Sequence, residues 1–323
     1  MRRSASEKFE IIKLVEGSDL GVKRTLEQLG INRSTFYNWY KSYLDHGVEG
    51  LKPKQTDRKV FWNKIPDQRR NEVVEIALDK PELSPRELAY HITDNQGWFI
   101  SESSVYRILK ERGLITSPAW IVMAAADEYK DKTTHVNQQW QKDFTYFKVL
   151  GWGWYYLGTV LDDYSRYIIH WDLRQNMETD DAKEIVDQAL INANIDDAEA
   201  LRLLTDNGPG YISKEFEKFI KERGLGHIRG APYHPQTQGK IERYHRTMKN
   251  VVKLENYYSP DQLRAAIKAF VDYYNNERYH EALGNMTPAD VYFGRAREIK
   301  TKRHFTKMNT LKERRKINRK ISA

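Results

Sequence analysis

Three carboxylates, Asp143, Asp206 and Glu242, carry the chemistry for which this chain is best equipped. Positions 206 and 242 leave 35 residues between them. Hard carboxylate oxygens suit magnesium, which keeps several of its waters and leaves room for a phosphate oxygen. Two such ions about 3.5–4 Å apart activate an attacking oxygen and stabilise a departing one. The chain has no cysteine, so disulfides and thiolate catalysis are excluded and zinc is poorly served. His227, His234 and His245 lack paired metal spacing and are expected on polar surface or against a polyanion. Spacing alone is weak evidence among 45 acidic residues, so the elements that hold the three acids decide the matter.

Residues 201–205 (LRLLT) are a short apolar run stopped by DNGPG, which puts Asp206 at the carboxyl end of a strand. Residues 140–150 read as another strand, carrying Asp143. From 238 to 254 the period is helical, with Ile241, Tyr244, Met248 and Val252 on one face. Glu242 begins a different face, followed by Arg246, Lys249 and Lys253. GWGW (151–154) and DDYSR (162–166) turn the chain through two more strands, giving an antiparallel meander. These strands are apolar nearly throughout, so both sheet faces should be covered. Helices over 179–193 and 213–223, and a strand over 226–230, complete the succession. Asp162 and Asp163 are rival ligands by composition, but they open a turn, where acids bond local backbone amides. A helix over 260–276 follows, and Arg278 and His280 are expected to hold the turn beyond it.

Upstream the pattern is helical. Helices are expected over 7–16, 22–29 and 34–44, with Gly30-Ile31-Asn32 as the turn and Asn32 capping the third. VKRTLEQLGINRSTFYNWYKSY (22–43) is similar to a helix-turn-helix unit. Leu26, Leu29, Ile31 and Trp39 would form its core, and Arg33, Ser34, Thr35, Asn38 and Lys41 would face the major groove. A second such unit has helices over 67–79 and 103–112, and between them one capped by Ser84 with Pro85 and Glu87 in place. It offers fewer polar side chains for base reading. Residues 295–323 hold 12 Lys/Arg against 2 Glu, a local charge of +10, which leaves 8 − 10 = −2 for the other 294 residues. That concentration of charge suits a grip on a polyanion at chosen places.

DFTYF (143–147), VLDDYSRYI (160–168), TDNGPGY (205–211) and APYHPQTQGKIERYHRTMK (231–249) resemble the DDE transposases of bacterial insertion sequences and their relatives, the retroviral integrases. The resemblance implies an α/β RNase H-like catalytic core, a mixed five-stranded sheet flanked by helices, here preceded by two all-α helix-turn-helix domains. It lays the family's triad on Asp143, Asp206 and Glu242. It implies two magnesium ions per site, with manganese able to substitute, and DNA contacts from Lys240, Arg246 and Lys249. The loop 231–240 would lie beside the active site. The expected organisation is 1–50 helix-turn-helix, 51–62 linker, 63–115 second helix-turn-helix-like domain, 116–134 linker, 135–295 catalytic core and 296–323 basic tail. The function expected is a DNA transposase that binds the ends of its mobile element, cleaves them and transfers the strands. Its partners would be double-stranded DNA, as element ends and target, and further copies of itself. No apolar run approaches the roughly 18 residues of a membrane helix, and MRRSASEKFE lacks a signal-peptide core, so a cytoplasmic, nucleoid-associated bacterial protein is expected.

Two other classes stay open at this point. A helix-turn-helix transcription regulator with a non-catalytic core would need no metal. A tyrosine recombinase would attach covalently to DNA, but no arginine-histidine-arginine cluster surrounds any of the 20 tyrosines.

Overall fold

The structure is a computed structural model, described here for residues 5–18, 20–52, 61–115, 133–196, 198, 200–230 and 239–322. The expected linkers at 51–62 and 116–134, and the loop 231–240, fall largely outside the described residues. The chain divides into two compact units. Residues 1–64 and 314–323 form one, and residues 65–313 the other.

The smaller unit contains α1 (Ala5–Glu16), α2 (Val22–Gln28) and α3 (Arg33–His46), then a 3-10 turn, Gly47–Leu51. Gly30, with φ of +63°, lets the chain reverse after α2. The Asn32 side chain then accepts from the Ser34 N–H at 3.0 Å and caps α3. Ile12, Val15, Leu26, Ile31, Phe36 and Leu51 are its buried core. Leu29 and Trp39, expected inside, are only partly buried. Phe36, in the first turn of α3, is buried in this cluster and stacks on Tyr40.

The larger unit begins with α4 (Asp67–Asp79), α5 (Pro85–Asn95) and α6 (Glu102–Glu111). The capping box at α5 is complete, with Ser84 and Glu87 each bonding the other's backbone N–H. Val73, Leu88, Ile92, Trp98, Val105 and Ile108 pack between these helices.

The α/β part follows. Strands β1 (Gln139–Val149), β2 (Gly153–Asp162) and β3 (Ile168–Arg174) form the expected antiparallel meander. Helix α7 (Thr179–Asn192) crosses over to β4 (Arg202–Thr205). The short α8 (Pro209–Ile212) and α9 (Lys214–Glu222) lead to β5 (Gly226–Arg229). The sheet order is β3-β2-β1-β4-β5, with β1, β4 and β5 parallel. Helices α10 (Gly239–Val252) and α11 (Pro260–Asn276) follow, then α12 (Pro288–Tyr292) and α13 (Ala296–Ser322). Both faces of the sheet are covered. Phe147, Val149 and Leu157 pack against Ile241, Tyr244, Met248 and Ile267 of α10 and α11. On the other face Trp140 and Val160 meet Ile185, Val186 and Phe216 of α7 and α9.

The expected basic tail is helical. Residues 296–322 are one 27-residue helix. Within the larger unit its Arg303 holds both oxygens of Asp94 on α5 at 2.7 and 2.8 Å and bonds the carbonyls of Gly284 and Asn285. Thr310 accepts from the Phe99 N–H at 2.9 Å. Arg86 pairs with Glu281 in the same region. The second helical segment is thereby fastened to the α/β part, which makes a structural role for it concrete.

Gly158 sits where α7 approaches β2. A Cβ there would lie 2.4 Å from Ile185 Cδ1 and 2.7 Å from the Phe144 ring. Gly158→Ala should therefore destabilise the protein by about 1–3 kcal/mol through overpacking, read by chemical denaturation. An unchanged midpoint would mean that α7 is free to move off the sheet.

Candidate active site

The register of β1 and β4 brings two of the acids together. Gln141 pairs with Leu204 in parallel, and Asp143 and Asp206 lie two residues further along each chain. The two charges sense each other. Partial desolvation first, and then the neighbouring Asp143, raise the Asp206 carboxyl above its ordinary range, while the Gly208 N–H, donating to Asp206 at 3.0 Å, opposes the shift. Asp143 accepts from the Phe144 N–H at 2.8 Å. Its other oxygen lies 3.3 Å from Nδ1 of His245.

Glu242 stands exposed in the first turn of α10. Its backbone is fixed from below. The buried Gln141 side chain accepts from the Ile241 N–H at 3.0 Å and donates to Asp163 at 2.7 Å. Lys240 Nζ reaches the same Asp163 carboxylate at 2.5 Å. Among the described residues no three or more carboxylate, histidine or cysteine side chains gather closely enough to hold a metal ion. The structure thus brings Asp143 and Asp206 together and leaves the Glu242 side chain outside that pair. The donors present fit magnesium, since they are hard oxygens whose mutual repulsion a cation offsets.

The other expected site residues divide. Arg33, Ser34, Thr35, Asn38 and Lys41 are all exposed on α3, although the Ser34 hydroxyl also bonds the capping Asn32 at 2.8 Å. Arg246 is exposed, and Lys249 lies partly covered with its ammonium 4.8 Å from the Tyr146 ring. Lys240 departs from its expected place on DNA, because its ammonium is engaged by Asp163. Asp162 behaves as a turn acid, accepting from the N–H of Ser165 and of Asn137, each at 2.8 Å. His245, expected on polar surface, is buried, with Nε2 3.4 Å from Thr159 Oγ1. It falls on the margin of the apolar stripe of α10, between Tyr244 and Met248, so burial was available to it. His227 is half-buried and bonds Thr205 at 3.0 Å, and His234 lies outside the described residues.

Sequence reasoning overlooked Lys142. Its side chain is fully buried, donates to the Tyr211 hydroxyl at 2.7 Å and lies 3.6 Å from the centre of the Phe144 ring. Burial pushes its ammonium down to about 7, against the pull of Asp143, Asp206 and Asp181. Burial likewise raises the Tyr211 phenol. A lysine next to an aspartate on an alternating strand gives no sign in the sequence that it points inward.

Comparisons with known proteins match both the α/β part and the helical segments before it. Residues 133–235 and 223–288 each match a family model described as "Integrase core domain". Residues 2–52 and 35–109 match models described as "Homeodomain-like domain". Together the two integrase core matches run from residue 133 to residue 288. The fold is that of an integrase core, a mixed five-stranded sheet with flanking helices, preceded by homeodomain-like helix-turn-helix regions. The Gag-Pro-Pol polyprotein of squirrel monkey retrovirus is 34% identical over 116 residues, 36% of this chain and 6% of the polyprotein. That of Mason-Pfizer monkey virus is 31% identical over 117 residues, again 36% and 6%. The chain therefore spans only a small part of these relatives' length. The HTLV-2 integrase catalytic core domain in complex with magnesium (dimeric form) is similar at 22% identity, over 49% of this chain and 97% of that one, with a TM-score of 0.39. No helix among the described residues is long and apolar enough to cross a membrane.

The close acid pair generates a test. Asp143→Asn removes one of two neighbouring charges, so in chelator it should raise the thermal midpoint. Magnesium should raise the midpoint of the parent and not that of the variant. Equal stabilisation of both by magnesium would place its binding elsewhere.

Proposed function

We propose that this protein is a DNA transposase that binds the ends of a mobile element, cleaves them and transfers the freed strands to new DNA. The observation that carries the reading is the parallel register of β1 and β4, which sets Asp143 beside Asp206 at the open carboxyl end of an integrase core sheet. The integrase core implies polynucleotidyl transfer, and the homeodomain-like segments imply DNA binding.

In this reading Asp143, Asp206 and Glu242 hold divalent metal, with two magnesium ions per site and manganese as a substitute. The metal supplies charge neutralisation and polarises phosphate oxygens. Everything else falls to the chain itself. Asp143 is oriented by His245 and the Phe144 N–H, and Asp206 by the Gly208 N–H. Gln141 and Asp163 hold the first turn of α10, which anchors the backbone of Glu242 while its side chain stays exposed. Arg246 and Lys249, further along α10, lie where a DNA backbone passing Asp143 would meet them. Positioning and charge stabilisation are what phosphoryl transfer asks of a protein, since no protein nucleophile is needed. The bacterial insertion-sequence origin, the element ends as ligand and assembly as a dimer or larger belong to the same proposal. Pairing two DNA ends calls for at least two copies.

Glu242→Gln keeps the side chain's shape and removes its charge. It should lower magnesium-dependent strand cleavage and transfer by at least about a hundredfold while end binding persists. Strand transfer at the parent's rate would overturn the catalytic assignment and favour a regulator with an inert core. Recognition is assigned to the exposed face of α3, so Asn38→Ala should cost about 1–3 kcal/mol of preference for element ends over random DNA. Undiminished preference in a competition binding assay would move recognition to residues 65–115.

A further inference from the structure

The far half of the β1–β2 hairpin carries an aromatic surface that the reaction just proposed does not use. Tyr146 is 51% exposed, Trp154 52% and Trp152, in the turn, 61%. The register pairs Tyr146 with Tyr156 and Lys148 with Trp154, so Tyr146, Lys148 and Trp154 share one face of the sheet. The Tyr146 and Trp154 rings meet edge to face, 5.4 Å between centroids at 78°. This is the face that α7 and α9 cover nearer the amino end of β1, where Phe144 packs on Tyr211.

The opening has a topological cause. Strand β4 pairs with residues 139–141 of β1, so among the described residues the flank of β1 beyond them has no neighbouring strand. Side chains of α10 reach round that flank. Lys249 Nζ lies 4.8 Å from the Tyr146 ring centre and Lys253 Nζ 5.9 Å. Lys249 also feels the charge of Asp143, which ties the patch to the acid pair. Asp143 and Tyr146 are three residues apart on one strand, about 10 Å along it and on opposite faces, so a DNA backbone joining them would pass round the open flank where Lys249 reaches the Tyr146 ring.

We infer that Tyr146 and Trp154, bordered by Lys148, Lys249 and Lys253, form a stacking platform for unpaired bases of a DNA strand whose backbone runs to the acid pair. Two features select this occupant. The charged groups set against the Tyr146 ring, Lys249 and Lys253, are cations, which suit phosphates between successive bases and not an apolar protein surface. Bases inside a duplex already have both faces stacked, so a ring platform takes only a base freed from its partner. The platform therefore favours DNA ends opened beside the scissile phosphate. The inference rests on the reading of the core as a strand-transfer centre, but its test needs no catalysis.

The full-length protein is titrated, in chelator, against a short fluorescent single strand and a blunt duplex of equal length. Tyr146→Ala and Trp154→Ala should each weaken single-strand binding about 5- to 100-fold. Duplex binding, carried by backbone contacts, should stay within about twofold. Tyr146→Phe and Trp154→Phe keep a ring and should bind the single strand as the parent does. Because both residues are exposed, thermal midpoints should hardly move. Unchanged single-strand affinity in both alanine variants overturns the platform. So does an equal loss for strand and duplex, or a loss in Tyr146→Phe as large as in Tyr146→Ala. Retained strand affinity together with a fall in solution mass would instead make the patch a contact between copies. If Glu242→Gln still transfers strands while Tyr146→Ala loses single-strand binding, the platform stands and the catalytic reading alone falls.

Discussion

The buried amide of Gln141 is the contact on which the site depends. It joins three pieces of chain that are remote in sequence: β1, the turn after β2 through Asp163, and the amino end of α10 through the Ile241 N–H. Asp163 closes the arrangement by taking Lys240 as well, and accepts from Thr133 at 2.7 Å. A buried carboxylate with one cation and two further donors is a satisfied group, and losing any partner would leave charge stranded in a medium that solvates it poorly. The geometry of the acids follows from this. Asp143 is two residues beyond Gln141 on β1, and Glu242 is one residue beyond Ile241 on α10. One side chain therefore sets the distance between two of the three acids' backbones, while Glu242's own side chain remains free to turn.

The acid pair itself is held by a second balance. Asp143 and Asp206 repel, and metal-free folding has to tolerate that. Lys142, buried beneath them and bonded to Tyr211, answers part of the repulsion from the other face of the sheet. Burial opposes its charge more strongly than the acids favour it, which is why its ammonium is pushed down to about 7. The side-chain alternation of β1 makes this possible, since consecutive residues 142 and 143 point to opposite faces. Lysine goes into the aromatic pocket formed by Phe144 and Tyr211, and aspartate toward His245 on α10. The strand thus separates a charge and its counter-charge across its own thickness, leaving the carboxylate side open for a cation.

How far all this was legible depends on sequence distance. Asp206 at the end of an apolar run, the capping box at Ser84, the Asn32 cap and the buried stripe Ile241, Tyr244, Met248 and Val252 are local patterns, and each was readable within a dozen residues. Gln141, Asp163 and Lys240 were not. Their partners lie 22, 77 and 100 residues away, and nothing nearby distinguishes a buried glutamine on a strand from an exposed one. His245 was misjudged for a related reason, because a histidine beside an apolar stripe goes inside only if a partner waits there, and that partner is a carboxylate and a threonine from β1 and β2. Lys240, expected on DNA, is instead taken by the Asp163 carboxylate, a partner that lies 77 residues away.

Helix α13 shows a different limit. Its sequence is strongly basic and its apolar residues are scattered, so composition reads it as a basic tail. Its packed positions are polar: Arg303 and Thr310 in the larger unit, Arg314 and Asn318 in the smaller. Periodicity of apolar residues cannot reveal a helix whose inward face is built from hydrogen bonds. Arg303 is the clearest case, since its guanidinium takes both oxygens of Asp94 and two backbone carbonyls, using the planar fork that lysine lacks. That bond set fastens α5 to the turn at 284–285, next to the segment where Arg278 and His280 close the core. His280 is kept neutral there, since burial and the neighbouring Arg278 and Arg166 press its imidazole down to about 3. The second helical segment is therefore joined to the α/β part through directional polar contacts, alongside the Tyr90–Tyr279 ring contact at 6.5 Å between centroids. Such polar contacts fix orientation at little cost in buried apolar area.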